Sequence, residues 1–146
     1  MDVITIILSA AKVAKVSGVL LLAICSHESS DFKLNYSPHD HGSPSFGSCQ
    51  VKLETAKMLG FDGKPEELMN PQTNARYAAK YLAYQQNQYG DDWVMLTAAY
   101  NAGSYNPSPK VVGCPRNLKY VRLVQNHLPE EFKEKLECGK ELVRNN

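Results

Sequence analysis

Residues 19–29, VLLLAICSHES, form the most apolar helix-like stretch of the chain, and Glu28 lies at its end. A segment that is apolar nearly all round predicts a helix with neighbours on every side, so we expect it to be the central helix of the fold. An ionised carboxylate at the end of such a helix is costly unless its surroundings replace the lost water. The stretch therefore indicates where the core lies and where an unusual polar group is placed.

The rest of the chain also follows a helical pattern. Residues 4–14 repeat apolar positions at the spacing i, i+3, i+4, i+7, which is typical of an amphipathic helix. Further helices are predicted at residues 52–59, 71–89, 93–102, 116–126 and 130–143. The capping residues expected at helix starts and the glycines expected to end helices are Asn70, Asp91 or Asp92, Gly90 and Gly103. The fold class is therefore all-α.

Residues 30–48 interrupt this pattern with Asp, Asn, Pro, Gly and Ser. Such a long loop inside a compact domain is usually functional or mobile. The pattern allows a small β-hairpin near residues 44–51. The chain has 146 residues, of which 43% are hydrophobic, so we expect one globular domain over residues 1–146 with a sizeable core.

Charge and hydropathy argue against two classes of partner. Sixteen basic and fifteen acidic residues give a net charge of +1, which does not favour binding to nucleic acid. Lys12 and Lys15 interrupt the apolar run over residues 3–25, so no membrane insertion is expected. Asp2 and an apolar run precede these lysines, which is the wrong order for a signal peptide. We expect the chain to begin as a mature, soluble domain.

The four cysteines allow three pairings, and their spacing does not choose between them. Cys25 and Cys49 lie in apolar, helix-like contexts, where we expect buried free thiols. Cys114 and Cys138 lie in more polar surroundings, and a disulfide between them is one alternative. The chain has no C-x-x-C motif, so neither a zinc site nor a thiol-redox site is expected.

Two segments place polar groups where packing alone would not put them. Burial should raise the pKa of Glu28 and make it a proton donor near neutral pH, unless its carboxylate faces solvent. Residues 45–50, SFGSCQ, allow the backbone to approach a ligand closely at Gly47. The amide of Gln50 can both donate and accept hydrogen bonds. Both segments are candidates for a binding or catalytic site.

A third segment, residues 98–103, places Tyr100 and Asn101 at the end of a predicted helix, where a packed tyrosine and a helix stop would be the simpler explanation. With this segment included, the order and spacing resemble those of the soluble lytic transglycosylases and the goose-type lysozymes. The matching positions are Glu28-Ser29, Gly47-x-x-Gln50, Asn70-Pro71, Asn74, Tyr81-Leu82, Ala99-Tyr100-Asn101-Ala102-Gly103 and Tyr120-Val121. The resemblance covers about residues 4–125 and leaves residues 128–146 as a helical extension.

The resemblance implies a lysozyme-like helical domain with a glycan-binding cleft. Its substrate would be the bond between N-acetylmuramic acid and N-acetylglucosamine in peptidoglycan. Glu28 would be the catalytic acid, and Tyr120 would hydrogen-bond its carboxyl group. The residues implied to bind the substrate are Ser29, Gln50, Tyr100 and Asn101. The family usually carries Gly-Leu-Met-Gln where this chain has Gly47-Ser48-Cys49-Gln50, so the methionine that would contact the sugar is missing.

Two reactions are compatible with these residues. Glu28 alone could act first as acid and then as base, so that the 6-hydroxyl of muramic acid closes on C1 and gives a 1,6-anhydro end. Inverting hydrolysis needs a second carboxylate about 6.5–9.5 Å away. Asp40 occupies a position where goose-type lysozymes carry a water-positioning aspartate, but the other such position is Lys52 here, which favours the transglycosylase. His39 and His41 are expected to be solvated rather than metal ligands.

The resemblance also suggests a biological setting. Family members with neither a signal peptide nor a wall-anchoring module resemble phage endolysins, which are made in the host cytoplasm and act on the cell wall after release. We expect a monomer that needs no cofactor and whose partner is the peptidoglycan glycan strand. The alternative is a non-catalytic peptidoglycan-binding domain, but such a module would have no use for a desolvated acid at Glu28.

Overall fold

The computed structural model describes residues 1–139 and is mostly helical, with one small antiparallel sheet. The helices are α1 (Val3–Ala14), α2 (Gly18–Glu28), α3 (Leu53–Met58), α4 (Pro71–Tyr89), α5 (Trp93–Ala102) and α6 (Leu118–Gln125), with 3₁₀ helices at Pro65–Met69 and Glu130–Leu136. The mainly helical class is confirmed. The residues group into two compact units, Met1–Tyr84 and a second that begins at Gln85. The single-domain assignment stays a prediction.

Local sequence sets the ends of the helices, as predicted. Asn70 accepts a hydrogen bond at Oδ1 from the backbone N–H of Thr73, at 3.0 Å, as α4 begins. Asp92 accepts one from the N–H of Met95 at 3.1 Å as α5 begins. Helix α5 ends at Gly103, whose φ of 88° is in the left-handed region that glycine adopts without strain.

In the first unit, α1 and α2 pack against each other. Helix α1 begins after Asp2, and the hydrogen bond from the N–H of Thr5 lowers the pKa of the Asp2 carboxyl group. No residue of helix α2 is exposed, and its buried side chains are Leu20, Leu21, Ala23, Ile24 and Cys25. This agrees with the burial that its apolar sequence predicted. Within residues 1–139, no helix is long and apolar enough to cross a membrane.

Most of a three-stranded antiparallel sheet lies in the segment predicted to be a loop. The strands are β1 (Tyr36–Asp40), β2 (Ser43–Phe46) and β3 (Val51–Lys52), in that order. Pairing of β2 with β3 confirms the hairpin near residues 44–51, whereas β1 was not predicted. Strand β1 lacks apolar alternation because it is a mostly exposed edge strand, paired through its backbone with β2. The Tyr36 and Phe46 rings, opposite each other, have centroids 5.3 Å apart.

The second unit has its own core around α5 and α6. Trp93 stacks on Phe132 with ring centroids 5.8 Å apart, and Val121 and Val124 are fully buried. The helix predicted over residues 130–143 is wrong for the described residues: the first part is a 3₁₀ helix, and the backbone is extended at Glu137. The adjacent disulfide at Cys138 anchors the chain there. Residues 140–143 of that prediction, and the end of the predicted extension, lie outside the described residues.

The four cysteines form two disulfides, Cys25–Cys49 and Cys114–Cys138. The second pairing confirms one of the alternatives, whereas the prediction of free thiols at Cys25 and Cys49 is wrong. Their apolar context correctly predicted burial, since both side chains are 0% exposed. Burial does not distinguish a thiol from a disulfide, however. The fold brings the two Cα atoms within 4.2 Å, which no local pattern encodes.

We expect removal of either disulfide to destabilise the protein. Each bond joins residues 24 apart, and closing a loop of that length in the unfolded chain is worth about 3–4 kcal/mol in the chain-entropy treatment. Replacing either pair with alanines should therefore lower the free energy of unfolding by about 3 kcal/mol, measured by urea titration under non-reducing conditions. Unchanged urea midpoints in both variants would contradict this prediction.

Candidate functional site

Glu28 is the last residue of α2 and is half-buried. The helix stops because the backbone after it turns left-handed, with φ of 52° at Ser30, 58° at Asp31 and 67° at Phe32. For residues with a Cβ, this conformation costs about 1–2 kcal/mol each. Such strain persists only where neighbouring interactions maintain it, and it is concentrated at functional sites. We call residues 28–32 the α2 end.

Ser29 supports this strained turn. Its side chain is fully buried, and its Oγ donates to the carbonyl of Cys25 at 2.8 Å and accepts from the N–H of Phe32 at 2.9 Å. The N–H of Leu34 also donates to the carbonyl of Ser29 at 2.9 Å. The hydroxyl therefore connects the last turn of the helix to the left-handed residues, and it fixes where Glu28 leaves the helix.

Gln50 occupies a second strained position, with φ of 50°. Its Nε2 donates to the carbonyl of Gly47 at 2.8 Å, and its backbone N–H donates to the same oxygen at 3.1 Å. We call residues 47–50 the Gln50 turn. Gly47 itself has φ of 77°, and a Cβ built there would lie 2.3 Å from Nδ2 of Asn74. Only glycine fits at this position.

Asn74, which the sequence identified only as part of a pattern, anchors the Gln50 turn to α4. It is fully buried, and its Oδ1 accepts from the N–H of Cys49 at 2.9 Å. Its Nδ2 donates to the carbonyls of Phe46 at 2.7 Å and Leu68 at 2.8 Å. An asparagine on the alanine-rich inner face of a predicted helix was the available signal, because a buried amide needs partners.

A disulfide links the last turn of α2, which leads into the α2 end, to the Gln50 turn. The disulfide joins Cys25, three residues before Glu28, to Cys49, directly before Gln50. The structure therefore brings two segments of the predicted site together, and it does so through a bond that the sequence analysis did not anticipate.

Asp40 lies at the end of β1, with its side chain 29% exposed. Its Oδ2 accepts from Oγ of Ser45 at 2.6 Å. Lys52 donates from Nζ to the backbone carbonyl of Asp40 and, at 3.0 Å, to Oγ of Ser43. His41 is 86% exposed, with Nε2 3.7 Å from Oδ1 of Asp40. In the described part of the chain, no group of three or more His, Cys, Asp or Glu side chains is arranged to hold a metal.

The other predicted residues lie in the second unit. Tyr100 is buried in α5, Asn101 is exposed near the end of that helix, and Tyr120 is half-buried in the first turn of α6. Asn117, which the sequence analysis missed, donates from Nδ2 to the carbonyl of Ala98 at 3.0 Å and to Oδ1 of Asn101 at 2.9 Å. It precedes α6, so one amide positions Asn101 and links α5 to the start of α6.

A second buried amide supports the end of α5. Gln85 is fully buried, and its Nε2 donates to the carbonyls of Ala99 at 3.3 Å and Gly103 at 3.1 Å. Ala99 lies in the last turn of α5 and Gly103 directly follows the helix, so the amide holds the helix end to α4. The segment that carries Tyr100 and Asn101 is thus fixed from two sides.

Comparison with known proteins supports the family resemblance that the sequence predicted. Residues 5–110 match the Transglycosylase SLT domain family, a range that includes Glu28, Gln50 and Tyr100 but not Tyr120. The soluble lytic murein transglycosylases of Escherichia coli strains K12 and O157:H7 are 39% identical over 51 residues, which is 34% of this chain and 8% of each relative.

A solved structure shares the fold. It is an inactive mutant of the lytic transglycosylase Slt from Pseudomonas aeruginosa, similar to this chain with a TM-score of 0.61 at 19% identity. The match covers 92% of this chain and 22% of that one. The chain therefore spans only a small part of the length of these relatives.

Proposed function

Because the chain belongs to the Transglycosylase SLT domain family, we propose that it cleaves peptidoglycan glycan strands by lytic transglycosylation. The bond cut would be the β-1,4 bond between N-acetylmuramic acid and N-acetylglucosamine. The observation that carries the proposal is the position of the half-buried residue Glu28 at a strained helix end. The names of the Escherichia coli relatives support the same activity.

One carboxyl group is sufficient for the proposed reaction. Protonated Glu28 donates its proton to the glycosidic oxygen as the bond to C1 breaks and the N-acetylglucosamine alcohol departs. The resulting carboxylate then takes the proton from the 6-hydroxyl of the muramic acid, whose oxygen bonds to C1. The product is a 1,6-anhydro ring, Glu28 is protonated again, and no water is consumed.

The surroundings of Asp40 favour this reaction over hydrolysis. A general base for water needs a carboxylate that can accept a proton from that water. One carboxylate oxygen of Asp40 already accepts a short hydrogen bond from Ser45, within the β1–β2 pair. The second acidic position of a goose-type lysozyme is Lys52 in this chain. Its Nζ donates to the backbone carbonyl of Asp40, so this residue supports the sheet.

We propose a positioning role for Ser29, because its buried hydroxyl is hydrogen-bonded to the backbone of Cys25 before it and of Phe32 after it. Gln50 is proposed to bind the substrate from a turn that is already fixed before the glycan arrives. Substrate binding by Tyr100 and Asn101, and the role of Tyr120 beside the catalytic carboxyl, stay predictions from the resemblance.

We propose that the chain works outside the reducing cytoplasm, on the cell wall. Two disulfides support this, because disulfides form and persist in oxidising compartments. An endolysin-like enzyme that reaches the wall after synthesis fits this setting. A monomeric state and the absence of a cofactor stay predictions.

The test is mass spectrometry of the muropeptides released from purified peptidoglycan, run on the wild type and on Asp40→Asn. We expect 1,6-anhydro-muramic acid ends, one water lighter than hydrolytic products. Asparagine can still accept the bond from Ser45, so release by the variant should change by only about twofold, the scale of surface substitutions. Reducing ends from the wild type, together with a loss of about a hundredfold in the variant, would instead make Asp40 the base of a muramidase.

A further inference from the structure

We propose that the Cys25–Cys49 disulfide is a positioning element of the reaction. In this role it fixes the α2 end, with Glu28, relative to the Gln50 turn. The inference rests on the proposed function, because it assumes that both segments act on the same glycan. It assigns to that function two further residues, Cys25 and Cys49, which act through the bond between them and not by touching the substrate.

The bond lies close to both functional side chains in the sequence. The carbonyl of Cys25 accepts the hydrogen bond from Oγ of Ser29, so the cysteine belongs to the turn that supports Glu28. Cys49 is adjacent to Gln50, and its N–H is held by Asn74. A shift of either cysteine therefore also shifts the backbone that carries Glu28 or Gln50.

Both segments store backbone strain that an anchor must oppose. The α2 end has three consecutive left-handed residues, and Gln50 is left-handed as well. Left-handed residues with a Cβ relax to ordinary conformations when surrounding contacts weaken. Ser29 stabilises the α2 end locally, and Asn74 attaches the Gln50 turn to α4. The disulfide joins the last turn of α2, directly before the α2 end, to the Gln50 turn.

Position 49 also differs from the family pattern, which has methionine there. In this chain the side chain of Cys49 is 0% exposed and bonded to Cys25, so it is not accessible to a bound sugar. Its contribution to the site must therefore pass through the placement of Gln50 and Glu28. Misplacing reacting groups by about 1 Å can reduce a rate a hundredfold, so such placement has a measurable effect.

The second disulfide supplies a matched control. Cys114–Cys138 also joins residues 24 apart, so its loss should relax the unfolded chain to a similar extent. We would compare Cys25→Ala/Cys49→Ala with Cys114→Ala/Cys138→Ala, using soluble glycan-strand fragments as substrate. Rates would be normalised to the folded fraction from circular dichroism, well below the unfolding temperature.

We expect the two variants to lose similar stability but to differ in turnover. The Cys25/Cys49 variant should fall about tenfold or more in kcat, with KM changed by less than about threefold, because transition-state placement is lost rather than overall binding. The Cys114/Cys138 variant should keep its kcat within about twofold. Equal kcat values in the two variants would overturn the proposal.

Hydrogen exchange without substrate gives an independent measurement. In the folded Cys25/Cys49 variant, the amides of residues 47–50 should exchange at least about tenfold faster than in the wild type, with α5 unchanged. Unchanged protection would overturn the proposal even if activity fell. If the alanine pair does not fold, Cys25→Val/Cys49→Ala refills part of the buried volume for the same measurement. A wild type that releases no muropeptides would overturn the proposed function, while the exchange result would still decide whether the disulfide holds the turn.

Discussion

Glu28→Gln is expected to reduce peptidoglycan cleavage by about a thousandfold or more while leaving the fold intact. Glutamine has nearly the same shape as the protonated acid, but it can neither donate a proton to the glycosidic oxygen nor take one from the 6-hydroxyl. A positioned acid and base contributes about a hundredfold to ten-thousandfold to a rate, and here one residue supplies both steps. The measurement is the initial rate of muropeptide release from purified peptidoglycan.

The control for this variant is Glu66→Gln, the same chemical change at an exposed carboxylate in the first 3₁₀ helix. It should keep wild-type activity. Binding of Glu28→Gln to insoluble peptidoglycan should persist, which separates lost chemistry from lost recognition. A Glu28→Gln variant that keeps more than about a tenth of the wild-type rate would exclude Glu28 as the catalytic acid. A wild type that binds peptidoglycan but releases no muropeptides would instead favour the non-catalytic binding domain.

Asn74→Ala is expected to cause the largest loss of stability of any single change considered. It leaves three buried backbone groups without their amide partner: the N–H of Cys49 and the carbonyls of Phe46 and Leu68. Each unsatisfied group costs about 1–3 kcal/mol, so we expect a loss of about 3 kcal/mol or more. Small domains have a total stability of about 5–15 kcal/mol, which makes this a severe defect.

The matched comparison is Asn70→Ala, four residues earlier. Asn70 is exposed and makes one capping hydrogen bond, so its loss should cost about 1 kcal/mol. Urea unfolding of both variants, followed by far-UV circular dichroism, gives the two free energies. Equal losses would mean that the buried amide does not hold the Gln50 turn. Asn74→Asp should be as damaging as alanine, because its carboxylate would face two carbonyl oxygens.

The helices could be predicted because their determinants are local. The hydrogen bonds of a helix join residues four apart, and its caps lie within three or four residues of the groups they satisfy. Asn70, Asp92 and Gly103 therefore marked helix ends correctly. The extensive burial of α2 followed from its apolar composition.

The sheet and the described segment that begins at residue 130 were predicted less well. Strand β1 consists of Tyr, Ser, Pro, His and Asp, and it is defined by pairing with β2 rather than by an alternating pattern of its own. The helix over residues 130–143 was predicted because Leu128, Phe132 and Leu136 are spaced four residues apart. The disulfide at Cys138 follows directly, and the backbone is already extended at Glu137.

The candidate residues came from the sequence, because a carboxylate at the end of an apolar helix and an amide in a glycine turn match the motifs of the family that the chain resembles. The disulfide and the hydrogen bonds that hold these residues in place could not be predicted from the sequence. The Cys25–Cys49 bond spans 24 residues, and the bonds of Asn74 to Cys49 and Phe46 span 25 and 28. Contacts of that range form only when burial of the surrounding core repays the entropy of closing the loop, and no short pattern reports that balance. The sequence by itself therefore determined most of the helices and the choice of Glu28 and Gln50 as candidate residues, whereas the tertiary structure alone decided how those two residues are held.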